Sequence, residues 1–286
     1  MANMVAIVAD SIACLTREQV EQYGITIAPI PISFQGKIYR DWVDITPSEA
    51  YQLFLKDPES FKTAGASPGI FLEAYREASK QAESILCVTL SAKLSGAYDA
   101  AKQAIGEVKK ELPQISVEVV DSKTVTASEG LVALAGARVA EAGKSLAEVV
   151  TAAEEMRERV TFLALVDTIR HVYRTGRIPK IAAVAGSMIN IKPILTSSGG
   201  IIRFISAVRS RERGIDKMLK RMRNRVGQRP VHVAVMHAYA PDEAEKLKER
   251  VSAEFNCAEL WVTELSPVMG YATGTGTLGL AFYSED

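Results

Sequence analysis

Three short apolar runs, Val5 to Ala9, Ile85 to Val88 and Val117 to Val120, each end in a polar loop that leads into helix-forming sequence. Buried strand, loop and helix in repetition is the pattern of a parallel sheet covered by helices. The loops themselves are Asp10-Ser11, Thr89 to Gly96, and Asp121-Ser122, and a fourth polar stretch, Thr63 to Ser67, precedes a further helix start. In an open parallel sheet the strand ends converge on one crevice, and ligands bind there. Four hydroxyl-bearing loops at one sheet edge are more than helix capping requires, although each serine singly also suits a cap or turn.

The loop Thr89 to Gly96 shows the choice most clearly. Tyr98, Ala101, Ile105, Val108 and Leu112 recur at helical spacing, and Pro113 ends the run. Where a strand passes through a short loop into a helix, free N–H groups and the positive end of the helix dipole point at one spot, which suits an anion. Gly96 admits a close backbone approach, while Ser91 and Ser95 carry hydroxyl donors; Ser95 can equally serve as the helix cap.

Other elements of the first half follow from local signals. Thr16 caps a short helix closed by Gly24, and Thr46-Pro47-Ser48-Glu49 combines a capping threonine, a first-turn proline and a third-position glutamate. Ser67-Pro68 opens a helix in the same way, and helices over Ser128 to Ala142 and Ser145 to about Glu158 flank Gly143. Ile25 to Phe34 reads as an extended segment that Pro29 and Pro31 confine to an edge. From Thr161 onward the pattern changes to TFLALVD, IKPILTSSGGIIRFISAV, VHVAVMHA, ELWVTEL and TLGLAFY, five strand-like stretches with Gly199-Gly200 as a hairpin signal. Helices near Arg211 to Val226 and Pro241 to Phe255 interrupt them. The expected fold is therefore α/β in two domains, 1–160 with a parallel sheet and 161–286 with a mixed or antiparallel one, and the ligand site between them.

Several function classes are disfavoured. Lys plus Arg and Asp plus Glu balance at 34 each, so no global charge draws the chain to nucleic acid or an anionic membrane. The three cysteines are scattered without a paired spacing, which argues against a disulfide framework or zinc site and suits a reducing cytoplasm. The start MANMVAIVADS lacks a basic region and reaches Asp10 too soon for a signal peptide. Leu265 to Ser284 is uncharged over nearly membrane-spanning length, but its glycines and threonines favour turns and a strand of a water-soluble core. His171, His232 and His237 follow none of the first-half strands and share no i, i+4 helical spacing, so neither a catalytic triad nor a metal site is expected. Asp10 and Asp121 suit the fixing of loop geometry. GTGTLG, Gly274 to Gly279, matches a dinucleotide fingerprint but precedes the last strand, where a tight turn or close ligand approach is expected. RSRERGIDKMLKRMRNR buries Ile215, Met218, Leu219, Met222 and Val226, leaving Lys217, Lys220, Arg221, Arg223 and Arg225 as a solvated face or a docking face.

In order along the chain, Asp10-Ser11, Thr63 with Ser67-Pro68, Leu94-Ser95-Gly96, Asp121-Ser122, Thr175-Gly176-Arg177-Ile178, Asn190-Ile191-Lys192-Pro193-Ile194-Leu195 and Arg209 resemble the DegV family of bacterial fatty-acid-binding proteins. The resemblance implies a long-chain fatty acid buried between the domains, its carboxylate held by Thr63, Ser95 and the Gly96 amide. It places Ser11, Ser67, Ser122 and Ala272 as head-group neighbours, and Arg177 and Arg209 toward a separate fatty acid kinase that forms the acyl phosphate. Such a carrier needs no catalytic residue, metal or cofactor of its own. Each buried methylene contributes roughly 0.8 kcal/mol, so an acyl tail binds without an ion pair. Two departures stand out: Thr63-Ala64-Gly65-Ala66-Ser67 lacks one hydroxyl of the family's Thr-Ser-x-Pro-Ser, and Ala272 to Gly276 replaces its His-x-Gly-Pro-Gly. Cys14 also stands where an aspartate is common. The competing expectation is an enzyme acting on a small anionic or phosphorylated substrate in the same crevice.

Overall fold

A computed structural model gives the fold and describes residues 5–168, 171–172, 175–176 and 191–285. β1 (Val5–Asp10), β2 (Thr26–Ala28), β6 (Ser84–Thr89) and β7 (Ser116–Asp121) form a parallel sheet in the order β2-β1-β6-β7. All of β1 is buried, because helices cover both faces of the sheet. α3 (Pro68–Ala78) packs with α4 (Ala97–Glu111), and α5 (Ala127–Glu141) with α6 (Leu146–Arg159).

A second, six-stranded sheet follows residue 160. β8 (Thr161–Leu165), β9 (Lys192–Ser198), β10 (Ile201–Val208), β11 (Val231–His237), β12 (Cys257–Glu264) and β13 (Leu278–Ser284) lie in the order β10-β9-β8-β13-β11-β12. Only β11 and β12 run parallel; the other neighbours are antiparallel. α7 (Arg211–Val226) and α8 (Pro241–Glu254) cover one face. The other face meets α5, of whose 15 residues twelve are buried, as a helix between two sheets requires. Strand alternation divides the two cores: Phe162, Ala164 and Val166 join the core of the parallel sheet, whereas Leu163 and Leu165 join the core under α7 and α8.

The extended segment read at Ile25 to Phe34 is split. Pro29 and Ile30 separate edge strand β2 from β3 (Pro31–Phe34), which pairs with β4 (Lys37–Arg40) and β5 (Phe61–Thr63) in a small antiparallel sheet. That sheet packs against α2 (Pro47–Lys56) and α9 (Pro267–Thr273), helix and sheet sharing Phe54, Phe61 and Tyr271. Local helix signals hold: Thr16, Thr46 and Ser145 each complete a reciprocal capping box, and Gly24 ends α1 (Arg17–Tyr23). Ser67 occupies the cap position of α3 without a side-chain cap bond. The uncharged run from Leu265 becomes α9, a turn and β13, and among the described residues no helix is long and apolar enough to cross a membrane.

Candidate functional site

The C-terminal ends of all four parallel strands open on one cavity. Ile12 follows β1, Ile30 follows β2, Leu90, Leu94 and Ser95 follow β6, and Val125 follows β7. Thr63 to Gly65 enter from the end of β5. Phe162, Leu195 and Ile202 of the second sheet, Val172 and Thr175, and Val268, Met269, Tyr271, Ala272 and Thr273 of α9 close the remaining walls. The free volume of the cavity is about 180 Å³. Among the described residues no charged side chain lines it; the polar groups on its wall are the hydroxyls of Thr63, Ser95, Thr175, Tyr271 and Thr273 and local backbone.

Carboxylates outside the cavity shape the loops that form it. Asp10 accepts from the Ile12 N–H at 2.9 Å and the Leu90 N–H at 3.0 Å, fastening the turn after β1 to the loop after β6. Asp121 accepts from Ala92 N at 3.2 Å and Lys123 N at 2.8 Å, bracing the same loop from the β7 side. These are the loop-fixing roles expected of both aspartates. Burial pushes Asp10 up to about 6. On the first turn of α5, burial and then the neighbouring Asp10 charge raise Glu129 well above the ordinary range, and neither of its carboxylate oxygens has a hydrogen-bond partner among the described residues. Burial likewise brings Asp41 to about 6, although Ser266 Oγ donates to it at 2.6 Å.

The loop start of α4 differs from a simple serine cap. Gly96 is the N-cap, and Ser95 Oγ accepts from Ala97 N at 3.2 Å one residue before it. Gly96 has φ −77°, and a Cβ there would meet nothing within 4 Å, so neither backbone strain nor packing demands glycine. Its exposed backbone leaves the helix start open.

Of the residues expected at the site, Thr63, Ser95 and Ala272 share the cavity wall, and Gly96 adjoins Ser95. Ser11 is elsewhere: its buried hydroxyl accepts from Ile30 N at 3.1 Å and so holds the backbone after β2. Ser122 exchanges hydrogen bonds with Thr124, and Ser67 is exposed outside the cavity. Ser91, offered as an anion donor, instead donates to Gly200 O at 2.7 Å, docking the β9–β10 hairpin. Arg209 is exposed just after β10, while Arg177, Ile178 and Asn190 lie outside the described residues.

Residues the sequence did not single out include Val268, Met269, Tyr271 and Thr273 of α9, wall positions with no motif of their own. Asp167 is another: it accepts from Lys192 at 2.7 Å and Arg211 at 2.6 Å beneath the Gly274–Gly276 turn. A Cβ on Gly276, at φ +83°, would lie 2.5 Å from Asp167 Oδ2, so this glycine is required by both conformation and space. The Gly274 to Gly279 stretch is thus a tight turn into β13, as expected. Among the described residues no group of three His, Cys, Asp or Glu is placed to hold a metal.

Comparison with known proteins agrees with this architecture. The family model for uncharacterised proteins of the DegV family matches residues 4–285. A DegV domain-containing protein of Streptomyces coelicolor is 35% identical over 287 residues, covering 100% of both chains. A fatty-acid-binding DegV family protein from Thermus thermophilus superposes with a TM-score of 0.88 at 29% identity, over 99% of this chain and 100% of its own. A stearic-acid-binding protein from Eubacterium ventriosum gives a TM-score of 0.88 at 26% identity, over 98% of each chain.

Proposed function

The chain belongs to the DegV family, and from that premise we propose that it binds one long-chain fatty acid in the cavity between its two sheets. The observation that carries this reading is a cavity with apolar walls, no charged side chain among the described residues that line it, and two hydroxyls, Thr63 and Ser95, beside an open helix start. An acyl tail gains roughly 0.8 kcal/mol per methylene in such surroundings. The carboxylate is oriented by the Thr63 and Ser95 hydroxyls and the Gly96 amide, with no guanidinium or ammonium among the described lining residues to hold it permanently.

A head group held by neutral donors remains available to a second protein. In this reading the chain is a cytoplasmic carrier that presents the carboxylate to a separate fatty acid kinase and performs no chemistry itself, with Arg177 and Arg209 toward that partner. The domain boundary falls near residue 160, between α6 and β8. Ala272 stands where the family motif has histidine, so any step that motif serves must be met here by other residues.

Mass spectrometry of organic extracts from the purified protein tests the reading. One fatty acid per chain is expected, rebinding after delipidation. An extract without stoichiometric lipid, together with no uptake by the delipidated protein, overturns it. Turnover of a small phosphorylated compound that is lost in Ser95→Ala would establish the enzymatic alternative instead.

A further inference from the structure

The six-stranded sheet has a second cleft on its opposite face. Phe162 and Leu195 point to the apolar cavity, and the next residues on the same strands, Leu163 and Thr196, line this cleft under α7. Its free volume is about 650 Å³, room for a molecule rather than a single ion. Four cations, Lys123, Arg157, Arg221 and Arg225, face one carboxylate, Glu158.

Local pairing leaves two of those cations unused. Glu158 Oε1 is shared between Arg157 at 3.1 Å and Lys123 at 3.4 Å. Arg221 and Arg225 form no ion pair with any described residue, whereas on the same helix Arg211 pairs with Asp167, Arg223 with Glu254 and Asp216 with Arg250. Four residues apart on one helix, Arg221 and Arg225 are stacked like charges, an arrangement that mildly destabilises a helix unless an anion lies between them. Thr196 Oγ1 already donates to Phe162 O, and Thr124 bonds Ser197. Recognition therefore falls to the guanidinium groups and the Asn224 amide, whose planar donors suit phosphoryl oxygens.

We propose that this cleft is a second ligand site, taking a small soluble phosphate-bearing anion between Arg221 and Arg225 on α7 and Lys123 and Arg157 across the seam. Its occupant bridges the two halves of the fold on the side away from the apolar cavity. The inference stands whether or not that cavity holds a fatty acid.

Calorimetric titration of the full chain with sodium pyrophosphate, at constant ionic strength in a phosphate-free buffer, tests it. Saturable one-site binding is expected, weakened at least tenfold in R221A/R225A and unchanged in K217A/K220A, which removes the same charge from the helix outside the cleft. Folding of each variant is checked by thermal melting. Absence of saturable heat, or equal weakening in both double variants, overturns the proposal. So does binding to phosphatidylglycerol vesicles without binding of free pyrophosphate, which would assign the arginines to a membrane surface.

Discussion

Ser95 and Ser11 carry the same side chain after two strands of one sheet, yet they have different work. Ser95 opens on the cavity, whereas Ser11 accepts from Ile30 N in the buried interior. Hydrogen bonds to a charged group contribute about 1.5–3 kcal/mol, so Ser95→Ala or Thr63→Val is expected to weaken fatty acid binding about tenfold or more, with Ser95→Ala also costing about 1 kcal/mol of stability because Ser95 Oγ accepts from Ala97 N. Ser11→Ala strands a buried N–H and should lower stability by about 1–3 kcal/mol. Titration with a fluorescent fatty acid beside urea unfolding separates the two effects. The buried carboxyls set a pH dependence of definite sign. Asp10 and Asp41 have folded values near 6 and Glu129 lies well above 4.5, so between about pH 4.5 and 6 the folded state retains protons that the unfolded chain releases. Stability therefore falls as pH rises through that window, by about 1.4 kcal/mol per pH unit for each proton retained. His237, lowered by burial, opposes this by at most one proton. Glu129→Gln keeps the shape and removes one titration; urea midpoints at pH 5, 6 and 7 should decline less steeply than in the parent chain. An unchanged slope would show that Glu129 is ionised in the fold.

The β9–β10 hairpin is the element whose role is least apparent from its composition. Gly199-Gly200 marks the turn, as expected, but the structure uses Gly200 for docking as well: its carbonyl accepts from Ser91, and Lys93 Nζ donates to Gly199 O at 2.8 Å. A Cβ at Gly200, with φ +83°, would lie 2.8 Å from Ser91 Oγ. Leu195 and Ile202 of this hairpin both line the cavity. Gly200→Ala should therefore cost at least about 1 kcal/mol of stability and weaken fatty acid binding several-fold, through a shifted hairpin and not through any lost ligand contact. Wild-type affinity in this variant, measured by the same fluorescence titration, would separate the hairpin from the cavity. Helices were readable where capping chemistry is local, as at Thr46 with Glu49. β4, β5 and α9 were not, because short elements depend on partners distant in the chain: Tyr51 of α2 donates to Leu265 O, at the start of the segment that becomes α9.

Across the whole molecule, Arg138 joins the halves. From α5 it donates to Tyr283 Oη at 3.0 Å and to Glu259 at 2.6 Å. His232 first, and Arg138 next, hold Glu259 down to about 2, so its contribution to stability is present above about pH 4.5 and is lost as pH falls toward 2. Arg138→Ala should destabilise the protein by about 1–2 kcal/mol at pH 7, since partial exposure screens the pair. The deficit should shrink at pH 3, and urea unfolding at both values reads it. A deficit independent of pH would assign the effect to packing of the arginine stem. The chain order of apolar runs, capping residues and hydroxyl loops was enough to specify an α/β fold with a parallel first sheet, because strand alternation, capping and turn chemistry act over a few residues. The strand-end rule led to the loops that contain Thr63 and Ser95, and the family resemblance singled out those two residues within them. Which hydroxyls face the cavity was decided only by tertiary structure: Ser11, Ser91, Ser95 and Ser122 have similar local sequence, and the partner each meets comes from a different part of the chain. Ile30 takes Ser11, Gly200 takes Ser91 and Thr124 takes Ser122, leaving Ser95 on the cavity wall.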